Sequence, residues 1–521
     1  MKVDVALLHP PSIYDFRVRR VHYGPISDVI PSTPIFDMYP IGFLSLTTYL
    51  TNRGFKVKIV NIAAKMLTDP RFNVEHYIKK LDAKVYAIDL HWLVHVQGAL
   101  ELAKIVKKYH PERPLILGGL SSTFFWHEIL SKHEYVDFIT LGDTAEEPYY
   151  RLLTYIIDGR GRLEEIPNIS WRQGGKIRTT GIKFVPKSID EYSIDYGVVI
   201  NSTFKIEDPF ISMPYANFMK DPIGAVLSVK GCIHNCLACG GSAYTYSTFY
   251  NRPCLALKSP KKLVEEIKSI ADYMKIPIFV IGDLQNLGLK YVEKFVEEVK
   301  ANKLDTELIL EFFKPPSIEV LKAINTLPGE TLLQISPESH EDHVRLMYGR
   351  PYTNKELLDF IRNVAKLNFK RLDLYFMIGL PKQTFNSAVE TYKFIKLIYR
   401  DIEGSKGRIE AFIAPLAPFI DPGSKAYVDP SRYGYMLYCR GLEEHRLLME
   451  RSLSWKQSLN YETLWLKKDD IAKATYEASK RLVKVKMEHE IIDQEVGLKI
   501  LERIRIAEEI LKKIDEGVNL N

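Results

Sequence analysis

The order of apolar segments along the chain is the feature that most limits its fold. Short apolar strands alternate with amphipathic helical segments over residues 1–158 and again over residues 223–425. An irregular segment with several prolines, residues 159–222, separates the two blocks. Alternation of strand and helix favours parallel sheets with helices packed on their faces. We therefore predict two α/β domains joined by a linker, with residues 426–521 as a third, helical domain.

The first block predicts a Rossmann-like, doubly wound parallel sheet. VDVALLHPP, FKVKIVNIA, VYAIDL, PLILGG and VDFITLGD are its expected strands. Such sheets bind ligands at the carboxyl ends of their strands, where Asp89, His91, Gly118 and Gly119 would lie. WRQGGKIRTTG, inside the linker, predicts an edge hairpin.

The second block predicts a partial (β/α)6 barrel. Its six expected strands are GAVLSVKGC, IPIFVIGD, ELILEFF, TLLQIS, RLDLYFMIGLP and RIEAFIAPL. Ser259 and Pro260 predict the start of a helix between the first two strands. In such barrels the reactive groups sit at the carboxyl ends of the strands. The last helix carries an apolar stripe that either packs on its own protein or contacts a partner or a membrane: Ile500, Ile504, Ala507, Leu511 and Ile514.

Composition and charge leave several partners open. The formal net charge is +6 and the pI about 8.7, which suits an acidic substrate, a phosphate-bearing cofactor, an anionic lipid surface, or merely a lysine-rich solvated surface. No apolar run is long enough to cross a bilayer, and MKVDVALLHPP is too short and interrupted for a signal peptide. We expect a cytoplasmic protein, and a peripheral contact with a membrane is compatible with this location.

Three of the five cysteines lie in SVKGCIHNCLACGG, where Cys232, Cys236 and Cys239 form C-x3-C-x2-C. Thiolates favour iron–sulfur clusters or zinc. A cubane cluster has four irons, so one iron lacks a cysteine unless Cys254 or Cys439 completes the set. Two alternatives stay open: a structural zinc site completed by Cys254 and His234, and a group of unliganded buried cysteines.

The spacing of these cysteines and their place after a strand resemble the radical S-adenosylmethionine (SAM) superfamily over residues 223 to about 425. The resemblance implies that Cys232, Cys236 and Cys239 bind a [4Fe–4S] cluster whose fourth iron chelates the amino and carboxylate groups of SAM. One residue departs from the family pattern, since Ala238 precedes the third cysteine where the family commonly has an aromatic residue.

The resemblance also implies SAM contacts at successive strand ends. IGD would receive the SAM amino group, QISPES would face the ribose, MIGLP would lie along adenine, and an arginine on the next helix would meet the carboxylate. The residues so assigned are Gly240, Gly282, Asp283, Ser336, Glu338, Ser339, Arg345, Ile378 and Gly379. The residues alone also allow purely structural explanations of these motifs. Asp283 would be a helix cap, Ser336 would belong to a capping box, Arg345 would be exposed at the surface, and the Gly and Pro of MIGLP would form a common turn.

The implied chemistry is reductive cleavage of SAM to methionine and a 5′-deoxyadenosyl radical, which removes hydrogen from an unactivated carbon. An electron donor such as ferredoxin or flavodoxin is therefore expected. The resemblance assigns no catalytic side chain.

The first block resembles the cobalamin-binding domain that precedes the barrel in one radical SAM class. The matching segments are HPPS, PIGFLSLTTYLTNRGFKVKIVN, LILGGLSST and VDFITLGDTAEEPYYRLL. Gly118 and Gly119 would approach the cobalamin nucleotide tail, with hydrogen bonds from Ser122 and Thr123. A tight strand-to-helix turn is the alternative for this loop.

HPPS stands where cobalamin proteins that replace the lower axial base have Asp-x-His-x-x-Gly. His91 would then lie near the lower face of the corrin, or serve as a structural histidine. Some relatives keep this fold without the cofactor, so cobalamin-bound and cobalamin-free enzymes both remain open.

The substrate is predicted from architecture. The whole chain resembles archaeal and anaerobe enzymes such as tetraether-lipid ring synthases and hopanoid methylases, which implies an isoprenoid lipid as substrate and ring closure or methylation as the reaction. A cobalamin-dependent methylase of a small metabolite or peptide, and a non-catalytic zinc-stapled binding module, are the alternatives. No nucleic-acid-binding module is evident. Aromatic residues of the C-terminal region either pack together or line an apolar tunnel: Phe412, Phe419, Tyr427, Tyr433, Tyr435, Tyr438, Trp455, Tyr461 and Trp465.

Overall fold

In a computed structural model, the structure describes residues 3–19, 21–25, 33, 35–204, 208–416 and 419–518. The strands are β1 Val3–His9, β2 Val57–Asn61, β3 Ala83–Asp89, β4 Leu115–Gly118, β5 Phe138–Thr140, β6 Ile169–Gln173, β7 Lys176–Thr179, β8 Gly224–Leu227, β9 Val229–Lys230, β10 Ala256–Leu257, β11 Ile278–Ile281, β12 Leu308–Phe312, β13 Thr331–Glu338, β14 Arg371–Ile378, β15 Ile409–Pro415, β16 Tyr435–Leu437 and β17 Tyr461–Thr463.

The helices are α1 Gly42–Thr51, α2 Ile62–Thr68, α3 Val74–Lys80, α4 Val96–Tyr109, α5 Leu120–Phe124, α6 Trp126–Lys132, α7 Glu146–Asp158, α8 Tyr196–Phe204, α9 Ala243–Phe249, α10 Pro260–Ala271, α11 Leu289–Ala301, α12 Ile318–Ile324, α13 Asp342–Tyr348, α14 Asn354–Lys366, α15 Phe385–Asp401, α16 Lys425–Val428, α17 Leu442–Arg451, α18 Trp455–Ser458, α19 Lys468–Glu488 and α20 Gln494–Asp515.

The first sheet has the order β2-β1-β3-β4-β5-β6-β7. Strands β1 to β5 are parallel, and the hairpin β6–β7 continues the sheet in antiparallel fashion beside β5. The parallel strands are apolar along most of their length because helices cover both faces. The predicted Rossmann-like fold of this block is confirmed, and its strand order reverses beside β1, where such sheets bind ligands.

The second sheet has the order β15-β14-β13-β12-β11-β8 and is parallel throughout. These are the six strands predicted for the partial barrel. Phe279, Ile309 and Leu332 form a cluster of their own with Ile223 and Ile281. Residues that alternate with them along the strands belong to the main core with the outer helices. The separate cluster therefore marks the inner face of the barrel.

Local sequence signals account for the start of the helix between β10 and β11. The Ser259 side chain accepts a hydrogen bond from Lys262 N at 3.4 Å, and Pro260 occupies the first turn of α10. This confirms the predicted cap, because a proline at that position loses no helical hydrogen bond.

The C-terminal domain packs against the barrel through aromatic side chains. Helix α19 lies along α15, and the hairpin β16–β17 covers the end of β14. Tyr435 and Tyr461 are buried, with ring centroids 5.8 Å apart, and Tyr427 stacks on His445. Tyr427, Tyr435 and Tyr461 thus pack inside the protein, which favours the packing interpretation over a tunnel.

The stripe on α20 also packs on its own protein, since Leu511 and Ile514 are buried and Ile504 and Ala507 lie against the core. Among the described residues, the helices include none with the length and apolar character needed to cross a bilayer.

A buried ion pair joins the two α/β domains. Arg252, after α9 of the barrel, donates through Nη2 to Asp143 Oδ1 at 3.1 Å, and through Nε to the other carboxylate oxygen. Its Nη1 donates to Pro186 O in the linker at 2.9 Å. The two side chains are only 2% and 6% exposed. Each charge therefore depends on the other for compensation.

We expect Arg252→Ala to lower the free energy of unfolding by about 3–5 kcal/mol, because it leaves the Asp143 carboxylate buried without its partner. Arg362→Ala is the matched control, since Arg362 pairs with Asp359 on the surface and should cost less than about 1 kcal/mol. Urea unfolding followed by circular dichroism measures both. Equal losses in the two variants would show that the interdomain pair does not stabilise the fold.

Candidate active site

The cysteine loop, residues 231–241, follows β9 at the carboxyl end of the first barrel strand. Gly231 starts it with a φ of +94°, a conformation that favours glycine. Inside the loop, His234 N donates to Cys232 Sγ at 3.4 Å and Gly241 N donates to Cys239 Sγ at 3.3 Å. Backbone N–H groups aimed at sulfur stabilise negative charge on the thiolates.

Burial works against ionisation of these thiols. Desolvation raises the pKa of Cys232, Cys236 and Cys239, and the mutual repulsion of the three groups raises the pKa values of Cys236 and Cys239 further. The guanidinium of Arg350 acts in the opposite direction on Cys232 and Cys236. Three neighbouring, partly desolvated thiolates thus require additional positive charge, which bound iron ions would supply.

The arrangement of donors suits a cluster better than a single ion. Within the described residues, no three His, Cys, Asp or Glu side chains converge on one ion position. In a cubane cluster each thiolate binds a different iron, so such convergence is not needed. The thiol of Cys254 is exposed, and Cys439 Sγ lies 3.6 Å from Glu444 O in the C-terminal domain. A structural zinc site completed by Cys254 and His234 therefore does not fit.

Arg350 is the cation beside the loop, and the sequence analysis missed it. Its Nε and Nη2 donate to Glu338 Oε1 at 2.9 and 2.7 Å. Gly349, with a φ of +112°, ends α13 and turns the chain so that Arg350 reaches Glu338. Among the described residues, Glu338 Oε2 is buried without a hydrogen-bond donor. It is therefore an acceptor that a ligand could satisfy.

Arg345 has a different role from the one predicted. It is fully buried, and it donates to the carbonyl oxygens of Pro337, Ser339 and Tyr352 and to the side chains of Asp342 and Asn354. Its guanidinium ties the end of β13 to α13 and α14. The geometry supports neither contact with the SAM carboxylate nor the alternative of a surface arginine.

After β11, a glycine with a positive φ, Gly282, is followed by Asp283, which caps the next turn. Gly282 has a φ of +106°, and its N–H donates to Glu311 Oε1 at 2.6 Å. The Asp283 carboxylate accepts from Gln285 N at 3.1 Å and from Phe313 N at 2.9 Å. Burial raises the pKa of Asp283 to about 6. Asp283 thus serves as a cap, and its oxygens are used within the protein.

At the end of β13, Ser336 does not cap the next helix, because α13 begins only at Asp342. Ser339 Oγ accepts instead from Glu341 N at 3.1 Å. The alternative of a capping box with Ser336 as the cap is therefore wrong. At the end of β14, Ile378 is buried and Gly379 has a φ of +101°. A Cβ on Gly379 would lie 2.3 Å from Tyr461 Oη, so the C-terminal domain closes over this turn.

Gly240 contacts a carboxylate that the sequence analysis did not single out. Its N–H donates to Asp421 Oδ2 at 2.9 Å, and a Cβ there would lie 2.9 Å from Asp421 Cβ. Burial raises the pKa of Asp421 to about 6, so the group stays ionised at neutral pH. The sequence offers little signal for this contact, because the two residues lie far apart in the chain.

A cavity of about 810 Å³ lies between the two α/β domains. One wall is the carboxyl edge of the first sheet, with Asp89, His91, Gly118 and Gly119. The other wall is the barrel, where every second residue from Ile223 to Val229 lines the cavity, with Ala225 and Leu227 on the edge strand β8. The cavity thus connects the predicted cobalamin surface with the barrel interior.

Two carboxylates on the first wall suit a corrinoid. Asp89 Oδ2 and Glu146 Oε2 are buried and have no hydrogen-bond donor in the part of the chain that the structure describes. Both residues line the cavity. Corrinoids carry several primary amides on their rim, and amide N–H groups would satisfy these oxygens. The residues present therefore fit cobalamin.

The glycine pair and the hydroxyls of the next turn are used for packing. A Cβ on Gly119 would lie 2.6 Å from His91 N, and one on Gly118 would lie 2.8 Å from Thr140 Oγ1. Ser122 Oγ and Thr123 Oγ1 donate to Gly119 O at 2.9 and 2.8 Å. The predicted hydrogen bonds from Ser122 and Thr123 to the nucleotide tail are thus not supported, because each hydroxyl hydrogen is already used.

His9 and His91, at the carboxyl edge of the first sheet, differ in their surroundings. His9, in HPPS, has Nδ1 at 2.8 Å from Asp89 Oδ1 and Nε2 at 3.1 Å from Phe36 O. Both ring nitrogens are engaged, so His9 does not present a cobalt ligand. His91 lines the cavity beside Trp92, and burial lowers its pKa, which favours the neutral imidazole.

Two family models match the chain in the order that this geometry indicates. The B12 binding domain matches residues 28–149, and the Radical SAM superfamily matches residues 226–395. The chain thus contains a B12-binding domain followed by a radical SAM domain. A radical SAM domain implies a [4Fe–4S] cluster and SAM, and a B12-binding domain implies cobalamin. The match overturns the alternative of a non-catalytic zinc-stapled module.

Curated relatives of this chain are distant. An anaerobic magnesium-protoporphyrin IX monomethyl ester cyclase of Cereibacter sphaeroides is 20% identical over 318 residues, which are 57% of this chain and 46% of the cyclase. An uncharacterized methyltransferase of Pyrococcus horikoshii is 22% identical over 359 residues, which are 68% of this chain and 73% of that protein. The chain spans about half the length of the cyclase that it matches.

Solved structures share the fold over nearly the whole chain. The radical SAM methyltransferase TsrM of Kitasatospora setae, with cobalamin and a [4Fe–4S] cluster bound, has a TM-score of 0.63 at 11% identity, covering 95% of this chain and 90% of TsrM. The cobalamin-dependent SAM radical enzyme OxsB has a TM-score of 0.61 at 13% identity, covering 98% of this chain and 72% of OxsB.

We expect Cys232→Ala, Cys236→Ala and Cys239→Ala each to lose most of the bound iron and sulfide, because each removes one of only three cysteine ligands. Cys254→Ala and Cys439→Ala are the matched controls and should keep wild-type iron. Iron and sulfide analysis after anaerobic reconstitution measures this. Loss of iron in either control would mean that a fourth cysteine binds the cluster.

We expect Glu146→Gln to raise the Kd for hydroxocobalamin about tenfold or more, since a hydrogen bond to a charged group contributes about 1.5–3 kcal/mol. Glu147→Gln, at the neighbouring position, is the control. Absorbance titration of the protein with hydroxocobalamin gives both constants. An unchanged Kd in Glu146→Gln would remove this carboxylate from the cobalamin site.

Proposed function

We propose that this enzyme acts on an unactivated sp3 carbon of an isoprenoid membrane lipid, leading to carbon–carbon bond formation by ring closure or to methylation. The interdomain cavity supports this proposal most directly. It follows the chain from Ile223 through β8 to Val229, a length of about 20 Å at about 3.3 Å per residue. An apolar space of this length suits an extended hydrocarbon chain.

The lining side chains supply the expected binding energy. Ala225, Leu227, Phe279 and Ile281 contribute apolar surface, and Glu311 is the acidic residue at the barrel wall. Burial of alkyl groups contributes about 0.8 kcal/mol per CH₂. The same side chains exclude water from the reacting carbon, which protects a reactive intermediate from side reactions.

SAM is proposed to lie across the carboxyl ends of the barrel strands, next to the cysteine loop. Glu338 carries this assignment, since its Oε2 needs a donor such as a ribose hydroxyl or the SAM amino group. The residues proposed to contact SAM are Gly240, Gly282, Ser336, Glu338, Ser339, Ile378 and Gly379. Arg350 is proposed to supply positive charge beside the cluster.

When bound, the cluster and SAM supply a 5′-deoxyadenosyl radical for hydrogen abstraction. The chain's own residues hold the substrate, shield it and fix its distance from SAM. A small donor protein such as ferredoxin or flavodoxin is proposed to deliver the electron. The basic net charge of +6 is compatible with peripheral contact at an anionic membrane surface.

A second candidate is cobalamin-dependent methylation of a small metabolite or peptide. The observation that favours it is the contact of one cavity with both the B12-binding domain and the barrel. A cavity of about 810 Å³ also lies within the range of about 300–1,000 Å³ that is common for small-molecule sites.

Anaerobic turnover separates the two candidates. Enzyme reconstituted with iron, sulfide and cobalamin is reduced and incubated with SAM and either isoprenoid glycerolipids or a polar metabolite extract. We expect 5′-deoxyadenosine together with a lipid that has lost two hydrogens or gained a CH₂ group, measured by mass spectrometry. Turnover of a polar metabolite with unchanged lipids would overturn the lipid proposal and favour the second candidate.

We expect Ala225→Phe to lower lipid product formation more than tenfold, because the larger side chain fills the cavity beside β8. The iron content should stay at the wild-type level. The added volume should cost about 1–3 kcal/mol of stability. Ala301→Phe, on the exposed end of α11, is the control and should leave both quantities unchanged. Product formation equal to wild type in Ala225→Phe would place the substrate elsewhere.

A further inference from the structure

A segment from the end of the barrel lies directly against the cysteine loop. After β15, Asp421 N donates to Ala238 O at 3.2 Å, and Ala426 N donates to Leu237 O at 2.9 Å. Gly240 N donates back to Asp421 Oδ2 at 2.9 Å. These bonds connect the backbone on both sides of Cys239 to residues 421–426.

The close approach brings a carboxylate next to a cluster ligand. The absence of a Cβ at Gly240 is what lets Asp421 Cβ approach this near. The Asp421 carboxylate is therefore fixed against the residue that follows Cys239, and it repels negative charge on that ligand.

Asp421 also changes which N–H groups face the sulfurs. Gly241 N and His234 N donate to thiol sulfur atoms, whereas the N–H of Gly240, between Cys239 and Gly241, donates to Asp421. N–H donors to sulfur stabilise the reduced cluster and raise its reduction potential, and nearby negative charge has the opposite effect. Asp421 thus lowers the reduction potential in two ways, through its negative charge and by accepting the Gly240 N–H.

We propose that Asp421 is a positioning residue that keeps the reduction potential of the [4Fe–4S] cluster low, by placing a negative charge beside Cys239 and by holding the Gly240 N–H away from the cluster. The proposal concerns the one-electron couple of the cluster and does not depend on the identity of the substrate.

The C-terminal domain holds Asp421 in place. Ile420 N donates to Asn460 Oδ1 at 3.0 Å, and the Asn460 amide lies 3.1 Å from His445 Nε2. Both Asn460 and His445 are fully buried. The position of the carboxylate is thus set by the C-terminal domain, which links that domain to the cluster.

Asp421→Asn tests the proposal because it removes the charge and keeps an oxygen that can accept from Gly240 N. The cluster is reconstituted in the full chain, and its potential is measured at pH 8 by a mediated redox titration followed by electron paramagnetic resonance, without substrate. We expect a more positive potential than wild type at equal iron content. Asp429→Asn is the control for loss of one negative charge, since Asp429 is exposed in the same region, and its potential should stay unchanged.

Asp421→Ser provides a second neutral side chain in case the amide disturbs the loop, and it should also shift the potential upward. Asp421→Glu keeps the charge and should stay nearer to wild type than either neutral variant. A wild-type potential in a neutral Asp421 variant that retains its iron would overturn the proposal. An equal shift in Asp429→Asn would overturn it as well, because the effect would then come from net charge alone.

Discussion

Three partly desolvated thiolates on one short loop repel one another and need compensating charge, and this constraint organises the barrel end of the molecule. Desolvation and mutual repulsion both disfavour the thiolate forms of Cys232, Cys236 and Cys239. The cluster irons, Arg350 and two backbone N–H groups provide the opposing charge and dipoles. The residues around the loop thus act mainly through electrostatics, and their placement depends on the turns that end β13 and α13.

The second organising feature is the way the two parallel sheets meet. Both sheets gather polar and glycine residues at the carboxyl ends of their strands, and the buried pair of Arg252 and Asp143 holds these ends together. The cavity between them has polar acceptors on the B12-binding side and apolar side chains on the barrel side. The first wall therefore suits a corrinoid and the second suits an apolar ligand, in line with the hydrocarbon substrate proposed above.

Much of this could be predicted from the sequence, because the signals were local. The strands, the C-x3-C-x2-C loop and the Ser259 cap each depend on residues close together in the chain. The position of Arg350 beside Glu338 could not be predicted, since it depends on the positive φ of Gly349. Ser122 and Thr123 followed the common tendency of such hydroxyls to bond carbonyls of the preceding turn. The contact of Asp421 with Gly240 could not be predicted, because it joins residues that are far apart in the sequence.

The central claim is that the three-cysteine loop leaves one iron of the cluster open for SAM. Electron–nuclear double resonance on the reduced wild-type protein, with SAM labelled at its amino nitrogen and carboxylate oxygens, tests this claim directly. We expect hyperfine coupling of both labels to the cluster. Absence of coupling in protein with a full cluster and saturating SAM would contradict it, because the fourth iron would then have another ligand.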